Sequence, residues 1–191
     1  MKNLFSLKER ITALLCVLLL AFVFTGCQDP NNAVIPAAED EVPVEFSPLP
    51  EALKGTWTST YYEVFEITDT TFSNGAYSYA GDSVVVVKTD ETSGIIYMKY
   101  TRALETTTED KSADSSWATW DNGQTYTRYS ETAPDVGKWY AVAYKNLSTN
   151  SVEFSGAYKA DGKTSTDTDV EAAKEFTVAN GYFASYSECT K

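Results

Sequence analysis

The sequence contains no histidine, only three cysteines and few basic residues. The lack of histidine removes the commonest general base and transition-metal ligand, and it excludes Ser-His-Asp and Cys-His catalytic arrangements. With 15 basic and 27 acidic residues, the chain has a net charge of −12. Nucleic acids and anionic lipid surfaces bind basic patches, so nucleic acid is not expected as a partner. We therefore expect a protein that is not an enzyme and that holds neither a cofactor nor a metal ion.

An apolar run from residue 11 to residue 24 dominates the N-terminus and follows three basic residues, Lys2, Lys8 and Arg10. A basic start, a short apolar core and small residues at its end are typical of a secretory signal peptide. The run is shorter than the roughly 20 residues that span a bilayer. An uncleaved membrane anchor and ordinary secretion with cleavage elsewhere are the alternatives.

The sequence Phe24-Thr25-Gly26-Cys27, together with the apolar run, resembles the lipobox of bacterial lipoproteins. In that family the cysteine becomes the lipidated first residue of the mature protein. The resemblance implies a signal peptide over residues 1–26 and lipidation at Cys27, which would make the membrane a partner through the lipid anchor. Several acyl chains anchor stably, whereas a single chain binds only marginally. By the same resemblance, the presence of Gln28 where lipoproteins retained in the inner membrane have aspartate implies that the exported protein lies at the outer membrane or cell surface.

Cleavage before Cys27 would leave 165 of the 191 residues, enough for one domain and a tether. The cleaved segment carries three basic residues and one acidic residue, so the net charge would change from −12 to −14. With Cys27 lipidated, Cys189 would be the only free cysteine of the mature chain, which excludes an intramolecular disulfide. Five of the six prolines lie between residues 28 and 50. Residues 27–52 are therefore predicted to be an extended tether, and residues 53–191 the folded domain.

The predicted domain is rich in Thr, Tyr, Val, Ser and Phe, which suit a half-buried sheet. Residues 56–68 alternate with period two, which predicts one strand, and Asn74-Gly75 predicts a hairpin between residues 71–73 and 76–79. Further strands are predicted at residues 83–88, 95–100, 124–130, 138–146, 152–159 and 182–187. A helix over Val170–Phe176 is predicted to be capped by Asp167 or Thr168. About eight short strands with turns between them indicate an all-β, antiparallel sandwich or barrel.

Gly55-Thr56-Trp57 matches the Gly-x-Trp opening of the lipocalin and calycin families. The whole chain is similar to lipocalin-like lipoproteins of spirochaetes, with a proline-rich tether, this opening and a tyrosine-rich C-terminus. The resemblance implies an up-and-down barrel of about eight strands with one short helix near the C-terminus. It also implies that Gly55 and Trp57 form a structural plug at the closed end.

An eight-stranded barrel either fills with side chains or holds one small ligand. Aromatic rings suit an amphipathic ligand, so we predict non-enzymatic binding of a small apolar or amphipathic molecule in the barrel. The alternative is that the same rings only pack the core. The candidate ligand-binding residues, assigned to the lumen by parity, are Tyr61, Phe65, Tyr97, Trp139, Phe154 and Tyr158.

Residues 102–122 are acidic and are predicted to form a long loop with Trp117 and Trp120 near its end. Because tryptophan is enriched at binding hot spots, this loop predicts an alternative function as a surface module that binds a protein partner. The two tryptophans could instead cover the mouth of a barrel. A catalytic pair of Glu63 and Glu153 is the best enzymatic hypothesis. Both are expected to face outward.

Overall fold

The computed structural model describes residues 43–108 and 125–191. The predicted signal peptide and Cys27 lie outside this part of the chain. The described residues form one α-helix, α1 (Asp169–Glu175), and a 3₁₀ turn at Glu51–Leu53. The strands are β1 Gly55–Ser59, β2 Val64–Ile67, β3 Thr71–Asn74, β4 Ala80–Lys88, β5 Gly94–Thr108, β6 Thr125–Ser130, β7 Trp139–Lys145, β8 Ser151–Gly156 and β9 Ser187–Thr190. In this part of the chain no helix is long and apolar enough to cross a membrane.

Eight of the strands form a closed, entirely antiparallel barrel. The sheet runs in the order β4-β3-β2-β1-β9-β8-β7-β5, and pairing between β4 and β5 joins its two ends. Closure removes the exposed edges that a sheet rich in Thr, Val and Tyr would otherwise present. The prediction of an antiparallel barrel of about eight strands with one short helix near the C-terminus is confirmed.

Aromatic rings fill the interior of the barrel around Phe154. The Phe154 ring lies 5.0 Å from Phe65, 6.1 Å from Phe72 and 6.3 Å from Trp57, measured between ring centroids. All four side chains are buried. Tilted and edge-on rings at these separations are contacting aromatic pairs, so these four side chains occupy this part of the barrel.

Trp57 lies near the end of the barrel where β1 begins and is completely buried. Its indole N–H donates a hydrogen bond to the carbonyl oxygen of Leu53 at 2.7 Å. The ammonium group of Lys191 lies 4.4 Å from the centroid of the Trp57 ring and donates to the carbonyl oxygen of Ala52 at 2.9 Å. Gly55 has φ +118°, a conformation that favours glycine. The 3₁₀ turn and the C-terminus thus meet on Trp57, whose role as a plug stays a prediction.

Helix α1 packs against the outside of the barrel. Thr168 accepts a hydrogen bond from the N–H of Glu171, whose carboxylate accepts one from the Thr168 N–H, so the two residues form a capping box. Of the two predicted caps, the structure uses Thr168. The buried residues of this outer cluster are Ile95, Tyr97, Ala141, Ala143, Ala172, Phe176, Tyr182 and Phe183. The cluster fastens the connection between β8 and β9 to the outer face of β5 and β7.

Several predicted strand boundaries are wrong. The strand predicted over residues 56–68 is interrupted at residues 60–63 by a turn, in which the Ser59 hydroxyl accepts hydrogen bonds from the N–H groups of Tyr61 and Glu63. A turn also occupies residues 75–79, where a strand was predicted, and β4 begins at Ala80. The last strand lies at residues 187–190 instead of 182–187, because Tyr182 and Phe183 pack in the outer cluster.

The first part of the predicted 102–122 loop is a strand. Strand β5 continues through residue 108, and its residues 103–108 pair with residues 125–130 of β6. The sequence pattern did not predict this strand, because residues 105–108 (Glu-Thr-Thr-Thr) contain no apolar residue that alternates with the polar ones. Residues 109–122, with Trp117 and Trp120, lie outside the described residues.

We expect the substitution Trp57→Ala to lower the free energy of unfolding by about 3–5 kcal/mol, because it removes a fully buried ring and its hydrogen bond. The measurement is urea denaturation of the full chain in mild detergent. Tyr61→Ala is the control, since Tyr61 is an exposed aromatic residue, and it should change stability by less than about 0.5 kcal/mol. Equal effects of the two substitutions would contradict a central packing role for Trp57.

Candidate functional site

A cavity of about 550 Å³ opens at the other end of the barrel from Trp57. Strands β5 and β8 end at this mouth and β4 and β7 begin there, because neighbouring strands alternate in direction. The cavity lies between the β5–β6 hairpin and the chain that follows β8. We call it the mouth cavity. The residues that line it are Tyr79, Tyr100, Leu104, Thr106, Tyr129, Asp135, Tyr140, Gly156, Ala157, Tyr158, Lys159, Ala160, Gly162, Lys163 and Thr164.

Four tyrosines form the inner wall of the mouth cavity. The Tyr100 and Tyr140 rings stack at 4.8 Å with an angle of 20° between them, and Tyr79 lies 5.3 Å from Tyr140 and 6.3 Å from Tyr129. Tyr79 also stacks on Phe72 at 6.1 Å, which joins the wall to the filled core. These rings present apolar surface with polar tips, an arrangement that suits an amphipathic molecule.

Burial raises the pKa of Tyr79, Tyr100 and Tyr140 above the ordinary range, and mutual repulsion between the ionised forms raises the pKa of Tyr79 and Tyr100 further. Their hydroxyl groups are therefore protonated at neutral pH. The Tyr140 hydroxyl donates to the carbonyl oxygen of Ala157 at 3.1 Å, which ties β7 to the end of β8. The inner wall is thus uncharged and partly ordered by its own hydrogen bonds.

The outer rim of the mouth cavity carries polar and cationic groups. Lys159 and Lys163 both line it, and the ammonium of Lys163 lies 3.8 Å from the Glu175 carboxylate. Asp135 accepts hydrogen bonds from the ammonium of Lys138 at 3.0 Å and from the Thr164 hydroxyl at 2.9 Å. Burial opposes ionisation of Asp135, but these hydrogen bonds outweigh it and lower its pKa. The site has an aromatic interior and a rim with two amino groups.

In the described barrel, Trp57, Phe65, Phe72 and Phe154 pack together at one end, and a cavity lined by tyrosines opens at the other. No family model, curated protein or solved structure matches this chain. The relationship to lipocalin-like lipoproteins inferred from Gly55 and Trp57 stays a prediction. Function is therefore inferred from the barrel itself.

The structure separates the six predicted ligand-binding residues. Phe65 and Phe154 are inside the barrel but in its filled part, 5.0 Å apart. Of the six, only Tyr158 lines the mouth cavity, from an exposed position after β8. Tyr61 is exposed in the β1–β2 turn, so its predicted lumen position is wrong. Ligand binding by any of these residues stays a prediction.

The lumen positions predicted for Tyr97 and Trp139 are also wrong. Both side chains pack in the outer cluster, and the Tyr97 hydroxyl donates to the carbonyl oxygen of Phe176 at 3.2 Å. The inward residues of β5 are instead Ile96, Met98 and Tyr100. Both faces of β5 and β7 are apolar because α1 covers the outer one, so parity alone could not identify the inner face.

Glu63 and Glu153 line different grooves and are not brought together. Glu153 pairs with the ammonium of Lys145 at 3.1 Å, whereas Glu63 accepts a hydrogen bond from the Ser59 hydroxyl at 3.3 Å. Within residues 43–108 and 125–191, no group of three or more metal-binding side chains lies together.

Cys189 lies in the core of the barrel, and its side chain is buried. Burial, together with the negative charge of Glu63, raises the pKa of its thiol to about 11. A thiol that is both buried and protonated reacts slowly, because the thiolate is the nucleophile. Cys189 is a core residue of the barrel.

We expect the free energy of unfolding to fall as the pH rises above about 10, where the tyrosines of the unfolded chain ionise. Tyr79, Tyr100 and Tyr140 retain their protons in the folded barrel, so the folded state binds more protons than the unfolded state and alkali favours unfolding. Urea denaturation of the full chain at pH 8 and pH 11 measures the change.

Tyr100→Phe should reduce the loss of stability between these two pH values by about 1.4 kcal/mol, which corresponds to one ionisation over one pH unit. Tyr61→Phe, at an exposed position, should leave the loss unchanged within error. The account of the inner wall would be refuted by a pH dependence that Tyr100→Phe does not alter.

Proposed function

We propose that this protein is a lipid-anchored, exported lipoprotein whose barrel binds a small amphipathic ligand in the mouth cavity, without catalysing a reaction. The observation that carries the proposal is a cavity with tyrosines on its inner wall and lysines on its rim. Its volume of about 550 Å³ falls within the range of about 300–1,000 Å³ that small-molecule sites occupy.

Packing supports the mouth, and not the depth of the barrel, as the place where a ligand binds. Phe154 and its neighbours occupy the interior near Trp57 with ring separations of 5.0 to 6.3 Å. A ligand could enter there only by displacing buried rings. At the mouth the Tyr100 and Tyr140 rings already form one side of an open space. The apolar part of a ligand would lie against them.

The charges at the rim support a ligand with an anionic or hydrogen-bonding head. Lys159 and Lys163 supply two ammonium groups against one lining carboxylate, that of Asp135, in a chain whose net charge is −12. Because the chain is acidic overall, a local cationic rim discriminates between ligands by the charge of the head group. A carboxylate on a short aliphatic or aromatic body combines both requirements.

The N-terminal sequence supports membrane attachment. The apolar run and the Gly26-Cys27 junction provide the features of a lipoprotein signal, and Pro30 and Pro36 suit a spacer between the lipid and the barrel. The spacer ends before Leu49, which is buried in the barrel core. With the anchor at Cys27, the barrel needs no apolar outer band. The outward-facing Tyr97 and Trp139 of β5 and β7 are then explained by the packing of α1.

A second function, the binding of a protein partner through the 102–122 region, is favoured by one observation. Residues 103–108 of β5 continue beyond the last β5–β7 pair, which joins Lys99 to Trp139. Leu104 and Tyr129 are partly exposed on the resulting hairpin. Partner binding that survives replacement of both residues by serine would count against this function.

We expect Leu104→Asp to weaken binding of a dansylated undecanoic acid by about five- to tenfold, because it removes apolar contact and places a negative charge near an anionic probe. Probe fluorescence with the full chain in mild detergent gives the dissociation constant. Val178→Asp is the control: Val178 is 58% exposed, Leu104 is 50% exposed, and only Leu104 lines the mouth cavity. The mouth site is contradicted by equal affinities of the two variants, or by a folded protein that does not bind the probe.

We expect Cys27→Ser to abolish incorporation of labelled palmitate and to release the protein from the membrane, because the thiol that carries the lipid is lost. Labelling in a bacterial host followed by phase partition in Triton X-114 measures both effects. Cys189→Ser is the matched control and should label like the parent. Retained label in Cys27→Ser would exclude Cys27 as the lipidation site.

A further inference from the structure

A second groove, separate from the mouth cavity, lies outside the barrel between the β1–β2 turn and the β3–β4 turn. Its volume is about 770 Å³. We call it the turn groove. No residue of the mouth cavity lines it, and none of the ligand-binding residues predicted from the sequence does so. The turn groove is therefore a different site from the proposed ligand site.

The floor of the turn groove follows the register of four neighbouring strands. Glu66 pairs with Ser73, Ser73 with Ala80, and Ala80 with Arg102, and all four residues line the groove. Directly paired residues share one face of a sheet, and the small side chains of Ser73 and Ala80 leave the space between Glu66 and Arg102 open. Four strands at about 4.8 Å spacing give a groove roughly 14 Å long.

Two tyrosines on the turns flank the turn groove. Tyr62 is 89% exposed and Tyr77 is 94% exposed, so neither ring contributes to the core. Tyr62 has φ +65°, a left-handed conformation that is uncommon for a bulky residue and recurs at binding sites. Arg102 holds the turn that carries Tyr77, because its guanidinium donates to the carbonyl oxygens of Gly75, at 2.6 Å, and Ser78. Both rings are thus displayed on ordered turns.

The carboxylates of the turn groove, those of Glu63 and Glu66, form no ion pair among the described residues. The Arg102 guanidinium keeps its positive charge, but it is bound to backbone carbonyl oxygens, and two strands separate its strand from that of Glu66. The two carboxylates therefore exceed it by one negative charge. Exposed tyrosine rings and unpaired carboxylates together attract a cation, through its interaction with the ring faces and through its charge. The net charge of −12 would also steer a basic partner toward the protein.

We propose that the turn groove docks an extended, lysine- or arginine-bearing segment of a partner protein. A length of roughly 14 Å matches about four residues of extended chain. The groove is open along the sheet surface, whereas small-molecule sites enclose most of their ligand. Tyrosine is also enriched at the hot spots of protein interfaces. The basic side chains lie between Tyr62 and Tyr77 and pair with Glu63 and Glu66.

The test measures binding of a fluorescein-labelled Gly-Lys-Gly-Lys-Gly amide to the full chain in mild detergent by fluorescence anisotropy. The same peptide with Nε-acetyllysine is the ligand control. We expect Glu66→Gln and Tyr77→Ser each to weaken binding about two- to fivefold, which lies within the ranges for exposed ion pairs and for exposed cation–aromatic contacts respectively. Acetylation should weaken it further, because it removes the positive charges.

Matched variants distinguish the turn groove from general attraction to an acidic protein. Tyr61→Ser changes an exposed tyrosine of the same β1–β2 turn that does not line the groove, and Glu91→Gln changes an exposed carboxylate of the β4–β5 turn. Both substitutions should alter the affinity by less than about twofold, because exposed residues outside a site make only small energetic contributions. The proposal is overturned by equal effects of Glu66→Gln and Glu91→Gln, or of Tyr77→Ser and Tyr61→Ser. Equal binding of the lysine and acetyllysine peptides also overturns it.

Discussion

The packing of Phe154 against Trp57, Phe65 and Phe72 is the interaction on which the rest of the structure depends. It joins β8 to β1, β2 and β3 across the interior of the barrel, at ring separations of 5.0 to 6.3 Å. A barrel of eight strands has just enough interior for its side chains or for one small ligand. Aromatic rings occupy the part near Trp57, and the tyrosine-lined cavity opens at the opposite mouth. The proposed ligand site is therefore a consequence of how the core is filled.

A second layer explains why the mouth holds its shape. Helix α1 and the residues after it cover the outer face of β5 and β7, and Tyr182 donates to the Glu175 carboxylate while accepting from the N–H of Lys163 at 2.8 Å. The segment that carries Lys159 and Lys163 is thus fastened to the helix cluster, and the lysine rim is positioned by packing outside the barrel. Tyr97 and Trp139, on the outer face of β5 and β7, pack in the same layer, against the helix cluster.

The sequence predicted the fold class because turns and period-two alternation are local properties. It also predicted α1 to within one residue, since Asp167 and Thr168 at its start are residue types that favour the N-cap position. Phe65 was correctly expected inside even though a turn interrupts its predicted strand, because four turn residues preserve the alternation. Tyr61 was wrongly expected inside because it lies within that turn, where alternation does not determine which way a side chain points. Ile96, Met98 and Tyr100 form one of two alternating apolar sets on β5, and Ile95 and Tyr97 belong to the other. Only the packing of α1 reveals which of the two apolar faces of β5 is outside.

The central claim is that an amphipathic ligand lies at the tyrosine-lined mouth while the interior near Trp57 stays filled. The most direct measurement is nuclear magnetic resonance of the full chain in mild detergent, methyl-labelled and saturated with the dansylated undecanoic acid. Intermolecular contacts from the probe to the Leu104 methyl groups, with none to Ile67 near Trp57, would agree with this account. Contacts to Ile67 would instead mean that the ligand opens the aromatic core and that the mouth is only its entrance.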